Sequence, residues 1–74
     1  MTKAKIERTI ESRLARRDFW GIRNMFPVGN LKNVKIDILH FALERADLYH
    51  CEEIWAYLEQ VYRKKVEILG CATG

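Results

Sequence analysis

The chain has 74 residues, 49% of them hydrophobic, and a formal net charge of +3. This length suits a single domain, near the size where one core only just offsets chain entropy. Two Trp, three Tyr and three Phe exclude the composition of a disordered chain. No run reaches the roughly 18 apolar residues of a membrane span, and the first residues lead into charged positions rather than a secretory signal. We therefore expect one packed, cytoplasmic domain.

Charge is divided unevenly along the chain. Residues 1–35 hold nine Lys or Arg against three acidic residues, whereas residues 36–74 hold four against seven. The two halves should therefore present surfaces of opposite charge that serve different partners.

Residues 1–20 predict a basic N-terminal helix, since no Gly or Pro interrupts them. Ile6, Ile10 and Leu14 form one apolar stripe at helical spacing, and Arg17 falls in line with it. Because the stripe is narrow, this helix can bury only a few side chains. One flank of the helix is a basic ridge that consists of Lys5, Arg8, Ser12 and Arg16.

Residues 21–33 predict a loop region, because Gly21 and Pro27 both interrupt helix. We expect a helix end at Gly21, a short turn of helix and then the loop. Three large aromatic side chains flank these breaks: Phe19, Trp20 and Phe26. Aromatic residues near a loop are available to a binding partner as well as to a core.

Residues 34–48 predict a central helix with apolar side chains around most of its circumference. A C-terminal helix at residues 51–69 should pair with it as a helical hairpin, which leaves one side of the central helix uncovered. That side carries Ile36, Leu39 and Leu43. At about 25 cal/mol per Å² of apolar area, leaving them in water forgoes several kcal/mol, so we expect a homodimer interface there.

The C-terminal helix has clear signals at both ends. Glu52 and Glu53 lie in its first turn, where the helix dipole favours negative charge, and Gly70 suits the left-handed position after its last turn. Residues 70–74 should then form a tail. The predicted fold class is all-α: a small three-helix domain, with the basic N-terminal helix followed by the hairpin, assembled as a homodimer.

Residue types that bind metals occur in unsuitable patterns. Adjacent His50 and Cys51 project about 100° apart on a helix, and Cys71 has no neighbouring cysteine, so we expect free thiols. A second set lies at helical spacing on the central helix: Asp37, His40, Glu44 and Asp47. It has no matching Glu-x-x-His on another helix, which favours a solvated face. With no catalytic dyad or phosphate-binding loop, we expect no metal, no cofactor and no enzyme.

The aromatic residues favour a protein-binding function, because Trp, Tyr and Arg dominate interface energetics. The side chains expected to face a protein partner are Phe19, Trp20, Phe26 and Tyr57. We expect a small regulatory or inhibitory protein that acts by binding another protein. Short, charged helical chains of this kind are common among antirepressors and inhibitors of phages and mobile elements, an analogy of size and style alone.

The alternative function is nucleic-acid binding by the N-terminal helix, as a transcriptional regulator. Its cationic side chains would neutralise phosphates: Lys5, Arg8, Arg13, Arg16, Arg17 and Arg23. Glu7, Glu11 and Asp18 dilute this positive field. The turn before the C-terminal helix resembles a helix-turn-helix, yet Glu52 and Glu53 would place carboxylates against phosphates at the start of the recognition helix.

Overall fold

The computed structural model describes the backbone of residues 2–73 and the side chains of residues 2–70. Within that range the chain is all-helical, which confirms the predicted class, but it contains four α-helices rather than three. Their bounds are α1 Lys3–Ala15, α2 Phe19–Met25, α3 Ile36–Leu48 and α4 Glu52–Thr73. A short 3₁₀ turn at Leu31–Asn33 lies between α2 and α3.

The additional helix, α2, begins where the N-terminal helix was predicted to continue. The backbone of Arg17 turns to a φ of 58° after α1. The N–H of Arg17 then donates to Leu14 O at 3.0 Å and that of Asp18 to Arg13 O at 2.8 Å, the two bonds of a Schellman turn. α1 therefore ends five residues earlier than predicted, and the region predicted as loop contains most of α2.

Gly21 lies inside α2 instead of ending a helix. A Cβ atom at this position would approach Oδ2 of Asp18 at 2.5 Å and Cδ of Arg13 at 2.9 Å. Asp18 is the N-cap of α2, and its Oδ1 accepts the N–H of Gly21 at 3.1 Å. The glycine is therefore explained by close packing at the start of α2 rather than by helix termination.

The turn between α3 and α4 repeats the turn between α1 and α2. His50 takes a φ of 57°. Its N–H donates to Asp47 O at 3.1 Å, and the N–H of Cys51 donates to Ala46 O at 2.9 Å. Each helix pair is therefore joined by a short turn with one non-glycine residue in the left-handed region.

Two ion pairs define how α1 lies against α3. Lys3 Nζ is 3.3 Å from an oxygen of Asp37, and Arg45 Nε is 3.1 Å from Glu11. Both pairs join positions separated by the same number of residues, so α1 and α3 run in the same direction. α3 and α4 form the predicted hairpin, and the molecule measures 40 × 27 × 19 Å.

The core takes side chains from every α-helix and from the connections between them. It consists of Ile10, Leu14, Ile22, Phe26, Val34, Ile38, Leu39, Ala42, Ala46, Cys51, Ile54, Leu58 and Val61. Leu39 is 0% exposed, while Ile36 and Leu43 are half-buried. The chain itself therefore covers most of α3, and Leu39 is corrected from a predicted dimer contact to a core residue because α1 and α4 pack on both sides of its helix.

α4 is longer than predicted, since it continues through Gly70 to Thr73. Gly70 is therefore not a helix terminator here, and residues 70–73 continue the helix instead of forming a tail. Lys65 Nζ donates to Leu31 O at 2.7 Å and ties the later part of α4 to the 3₁₀ turn. Gly74 and the side chain of Cys71 lie outside the described residues.

Candidate functional site

Trp20 is the most exposed large apolar side chain among the described residues, at 75%. It is the second residue of α2, whereas its neighbour Phe19 turns towards the core and is half-buried. The adjacent positions of a helix project about 100° apart, so burying Phe19 directs Trp20 into solvent. The structure therefore separates two residues that were predicted to act together.

Arg23 holds the exposed ring of Trp20 next to a second aromatic side chain. Its Cζ atom lies 5.8 Å from the ring centroid of Trp20 and 5.3 Å from that of Tyr57 on α4. Both distances are within the range of a cation–π interaction. We call this group, Trp20, Arg23 and Tyr57, the Trp20 patch.

Tyr57 and Phe26 have supporting roles beneath the Trp20 patch. The hydroxyl of Tyr57 donates to the backbone oxygen of Phe26 at 2.8 Å, which fixes the ring on which Arg23 rests. Phe26 is 2% exposed, so its predicted role in partner contact is corrected to a core role. Its side chain is buried because the chain turns inward at the end of α2.

Arg13 positions α2 on α1. Its Nη1 donates to Gly21 O at 2.8 Å, and its side chain is half-buried. This bond leaves Arg13 less available to a ligand than the exposed cations of the basic ridge. Arg13 was predicted to bind nucleic acid, but in the structure its side chain makes a contact that holds α2 on α1.

Arg17 connects the two turns of the molecule. Its Nη1 donates to Cys51 Sγ at 2.7 Å and its Nη2 to Tyr49 O at 3.3 Å. Cys51 is a free, buried cysteine. The sequence signal for this contact is the position of Arg17 in line with the apolar stripe of α1, which directs its side chain towards the core side of the helix.

The basic ridge of Lys5, Arg8, Ser12 and Arg16 is exposed along α1. The acidic residues expected to dilute its field are partly engaged elsewhere. Glu11 pairs with Arg45 at 3.1 Å, and Asp18 caps α2. Of the three acidic residues, Glu7 is the one left beside the ridge, so the positive surface is more uniform than the sequence alone indicates.

Two pairs engage polar residues of α3, one with α1 and one within the helix. Asp37 pairs with Lys3, and His40 Nδ1 lies 3.2 Å from Glu44. A hydrogen bond from Lys3, aided by one from the backbone N–H of Ile38, holds the pKa of Asp37 below its ordinary value. Among the side chains that the structure describes, no cluster of three or more His, Cys, Asp or Glu is arranged to hold a metal ion.

A shallow groove follows the outer side of the α3–α4 hairpin. Its volume is about 450 Å³. The side chains that line it are His40, Leu43, Glu44, Asp47, Trp55, Glu59 and Tyr62. We call this the hairpin groove. Trp55 is 36% exposed, which places it at the edge of the core rather than inside.

Comparison with protein-family models, with curated proteins and with solved structures finds no match to this chain. None of the helices in residues 2–73 combines the length and apolar character that crossing a membrane requires. The candidate site is therefore defined by geometry: an exposed tryptophan supported by an arginine, and a basic ridge on the helix that precedes it.

Proposed function

We propose that this chain is a small, non-enzymatic, cytoplasmic regulatory or inhibitory protein, antirepressor-like in style, that acts by binding another protein through the Trp20 patch. The observation that supports it is the 75% exposure of Trp20. A single domain of this size gains stability by burying such a ring. A ring held in solvent instead is typical of a side chain that is buried on binding.

The support beneath the ring favours recognition by a pre-organised surface. Arg23 lies against Trp20 and Tyr57, which favours one relative placement of the aromatic ring and the guanidinium before any partner binds. Fixing side chains in advance reduces the entropy lost on binding. Trp, Tyr and Arg are also the residue types most often found at interface hot spots.

The charge of the surrounding region indicates an acidic partner surface. Residues 1–35 carry an excess of six positive charges, and Arg16 and Arg23 are both exposed. A carboxylate-rich surface would therefore be attracted to this side of the molecule and would associate faster at low ionic strength.

The test is affinity capture from host extract with wild-type protein and with Trp20→Ala, followed by binding titration of the captured protein. Truncating a hot-spot tryptophan costs about 2 kcal/mol or more, so we expect at least a roughly 30-fold loss of affinity with unchanged helical circular dichroism. Leu48→Ala is the control, since Leu48 is also exposed, at 63%, but lies on α3. Equal binding by Trp20→Ala and wild type would exclude the Trp20 patch.

Nucleic-acid binding is a second candidate function, supported by the exposed cations of the basic ridge. Lys5, Arg8 and Arg16 are exposed on one side of α1, with Glu11 and Asp18 engaged elsewhere. Three phosphate contacts would give a slope of about −2.7 for log affinity against log salt on duplex DNA. Lys5→Ala with Arg8→Ala should flatten that slope, and Lys64→Ala on α4 is the control.

We infer also that the protein works as a homodimer. Half-buried Ile36 and Leu43 support a contact on the hairpin, without Leu39. Sedimentation equilibrium tests the homodimer directly, with twice the chain mass of 8.8 kDa expected.

A further inference from the structure

The last turns of α4 carry apolar side chains that the rest of the described chain leaves exposed. Val61 is 0% exposed, but Val66, Ile68 and Leu69 are 46%, 50% and 45% exposed. A helix end without tertiary packing is only marginally stable in water. Contact with another molecule would remove both the exposed apolar surface and this instability.

Two of these exposed residues, Val66 and Leu69, belong to a line that runs along most of α4. Its members follow one another at intervals of four, three, four and three residues: Trp55, Glu59, Tyr62, Val66 and Leu69. This spacing is typical of a coiled-coil seam. The buried residues Ile54, Leu58 and Val61 form a parallel line one position earlier, about 100° around the helix. α4 therefore has one apolar line against its own chain and a second line beside it.

The second line is continuous with the hairpin groove. Leu43 of α3 lines that groove together with Trp55 and Tyr62. The ring of His40 also lies 6.4 Å from the ring of Tyr62. The uncovered surface is therefore built from two helices side by side, the form that a four-helix bundle needs from each of two copies.

We propose that a second copy of this chain packs on this surface with the two α4 helices antiparallel about a two-fold axis near Tyr62. In this arrangement Trp55 of each copy meets Leu69 of the other, because the two residues lie equally far from Tyr62 along the helix. The proposal specifies the interface of the homodimer proposed above, and it is independent of partner binding at the Trp20 patch.

Charge distinguishes the antiparallel arrangement from a parallel one. The end of the surface near Trp55 carries the carboxylates of Asp47 and Glu52, which also line the cleft beside that ring. The other end is apolar at Val66 and Leu69, and the charges of Arg63 and Glu67 beside them offset each other. Antiparallel pairing places each acidic end against the apolar end of the other copy. Parallel pairing would bring the two acidic ends together.

The surface is comparable in size to a small dimer interface. Stable interfaces bury about 800 Å² on each partner, and weaker ones less than about 600 Å². The line from Trp55 to Leu69 is about 21 Å long. With α3 packed about 9 Å beside part of it, the two helices offer a face of roughly several hundred Å².

Cross-linking tests the arrangement, with Cys71→Ser as background so that an introduced thiol reacts instead. We mix Trp55→Cys and Leu69→Cys proteins and oxidise them. Antiparallel pairing predicts a cross-linked heterodimer from the mixture and little product from either variant alone, because identical positions would lie about 20 Å apart. Cross-linking of each variant with itself would show parallel pairing and overturn the proposal.

Two further measurements separate the arrangement from dimerisation itself. Val66→Lys with Leu69→Lys should raise the dimer dissociation constant at least 10-fold in sedimentation experiments. Leu48→Lys, at an exposed apolar position on α3, should leave that constant unchanged. A monomeric wild type would overturn both the homodimer and its arrangement. A dimer insensitive to the double Lys change would overturn the arrangement alone.

Discussion

The molecule consists of two helix pairs that share one kind of turn but differ in the helix that follows it. Arg17 and His50 occupy the left-handed position of their turns, with φ values of 58° and 57°. After Arg17 comes a helix of 7 residues that buries Ile22 and carries Trp20 in solvent, whereas after His50 comes a helix of 22 residues that buries Ile54, Leu58 and Val61. The comparison shows that the length of the helix after the turn sets how many of its side chains reach the core.

Charge follows the same division. Residues 1–35 are strongly basic and residues 36–74 are acidic, and the two are joined by Lys3–Asp37 and Glu11–Arg45. The basic pair is therefore held on the acidic pair while its ridge stays exposed. The proposed acidic partner and the proposed second copy of the chain would therefore bind to different surfaces.

The change that should most disturb the α3–α4 pair is Leu39→Ala. Leu39 is 0% exposed in the core, so we expect a loss of about 2–5 kcal/mol in the free energy of unfolding. Leu48→Ala on the same helix is the control and should change it by less than about 0.5 kcal/mol. Urea titration at several protein concentrations measures both. If the free energy of unfolding fell only at high protein concentration, Leu39 would belong to the dimer interface instead of the core.

Glycine substitutions compare the two turns directly. His50→Gly removes the cost of a side chain in the left-handed region, which we expect to stabilise the fold by about 0.5 kcal/mol. Arg17→Gly gains the same relief but loses the hydrogen bonds to Cys51 and Tyr49, so it should be about 1–2 kcal/mol less stable than His50→Gly. Denaturant midpoints of the two variants provide the measurement. Equal midpoints would mean that the bonds of Arg17 contribute nothing to stability.

Removing one hydroxyl tests how α2 is attached to α4. Tyr57→Phe loses the 2.8 Å bond to Phe26 O, which should cost about 1 kcal/mol and loosen the support of the Trp20 patch. Tyr49→Phe is the matched control, since Tyr49 is also half-buried and the described residues include no hydrogen bond from its hydroxyl. Thermal unfolding followed by circular dichroism should separate the two. A Tyr49→Phe protein as destabilised as Tyr57→Phe would contradict this assignment.

The smallest effect concerns the exposed contact between α1 and α3. The hydrogen bond from Lys3 holds the pKa of Asp37 below its ordinary value in the folded state, so the unfolded chain binds this proton more readily. The contribution to stability is therefore present above the ordinary aspartate pKa and is lost as the pH falls through the lowered folded-state pKa. The difference in melting temperature between wild type and Asp37→Asn should shrink over that window. A difference that stays constant with pH would exclude the contribution.

Periodicity predicted the hairpin, because its helices have long apolar patterns that leave few alternatives. It did not predict the break at Arg17, since nothing in the local residues forbids helix there. The break is stabilised by distant groups, Cys51 and Tyr49, which accept the hydrogen bonds of the Arg17 side chain. The spacing of residues in the sequence does not predict that contact.

The candidate site divides in the same way. The sequence by itself determined that aromatic residues cluster around Trp20 and that cations line α1, since both follow from residue type and helical spacing. The tertiary structure decided which aromatic residue is exposed: Phe26 is buried and Trp20 is not. The uncovered apolar surface was predicted on α3, whereas in the tertiary structure it lies mainly on α4. The physical reason is that burial depends on which helices pack together and on where one helix extends beyond the end of its neighbour. Neither is a local property of the chain.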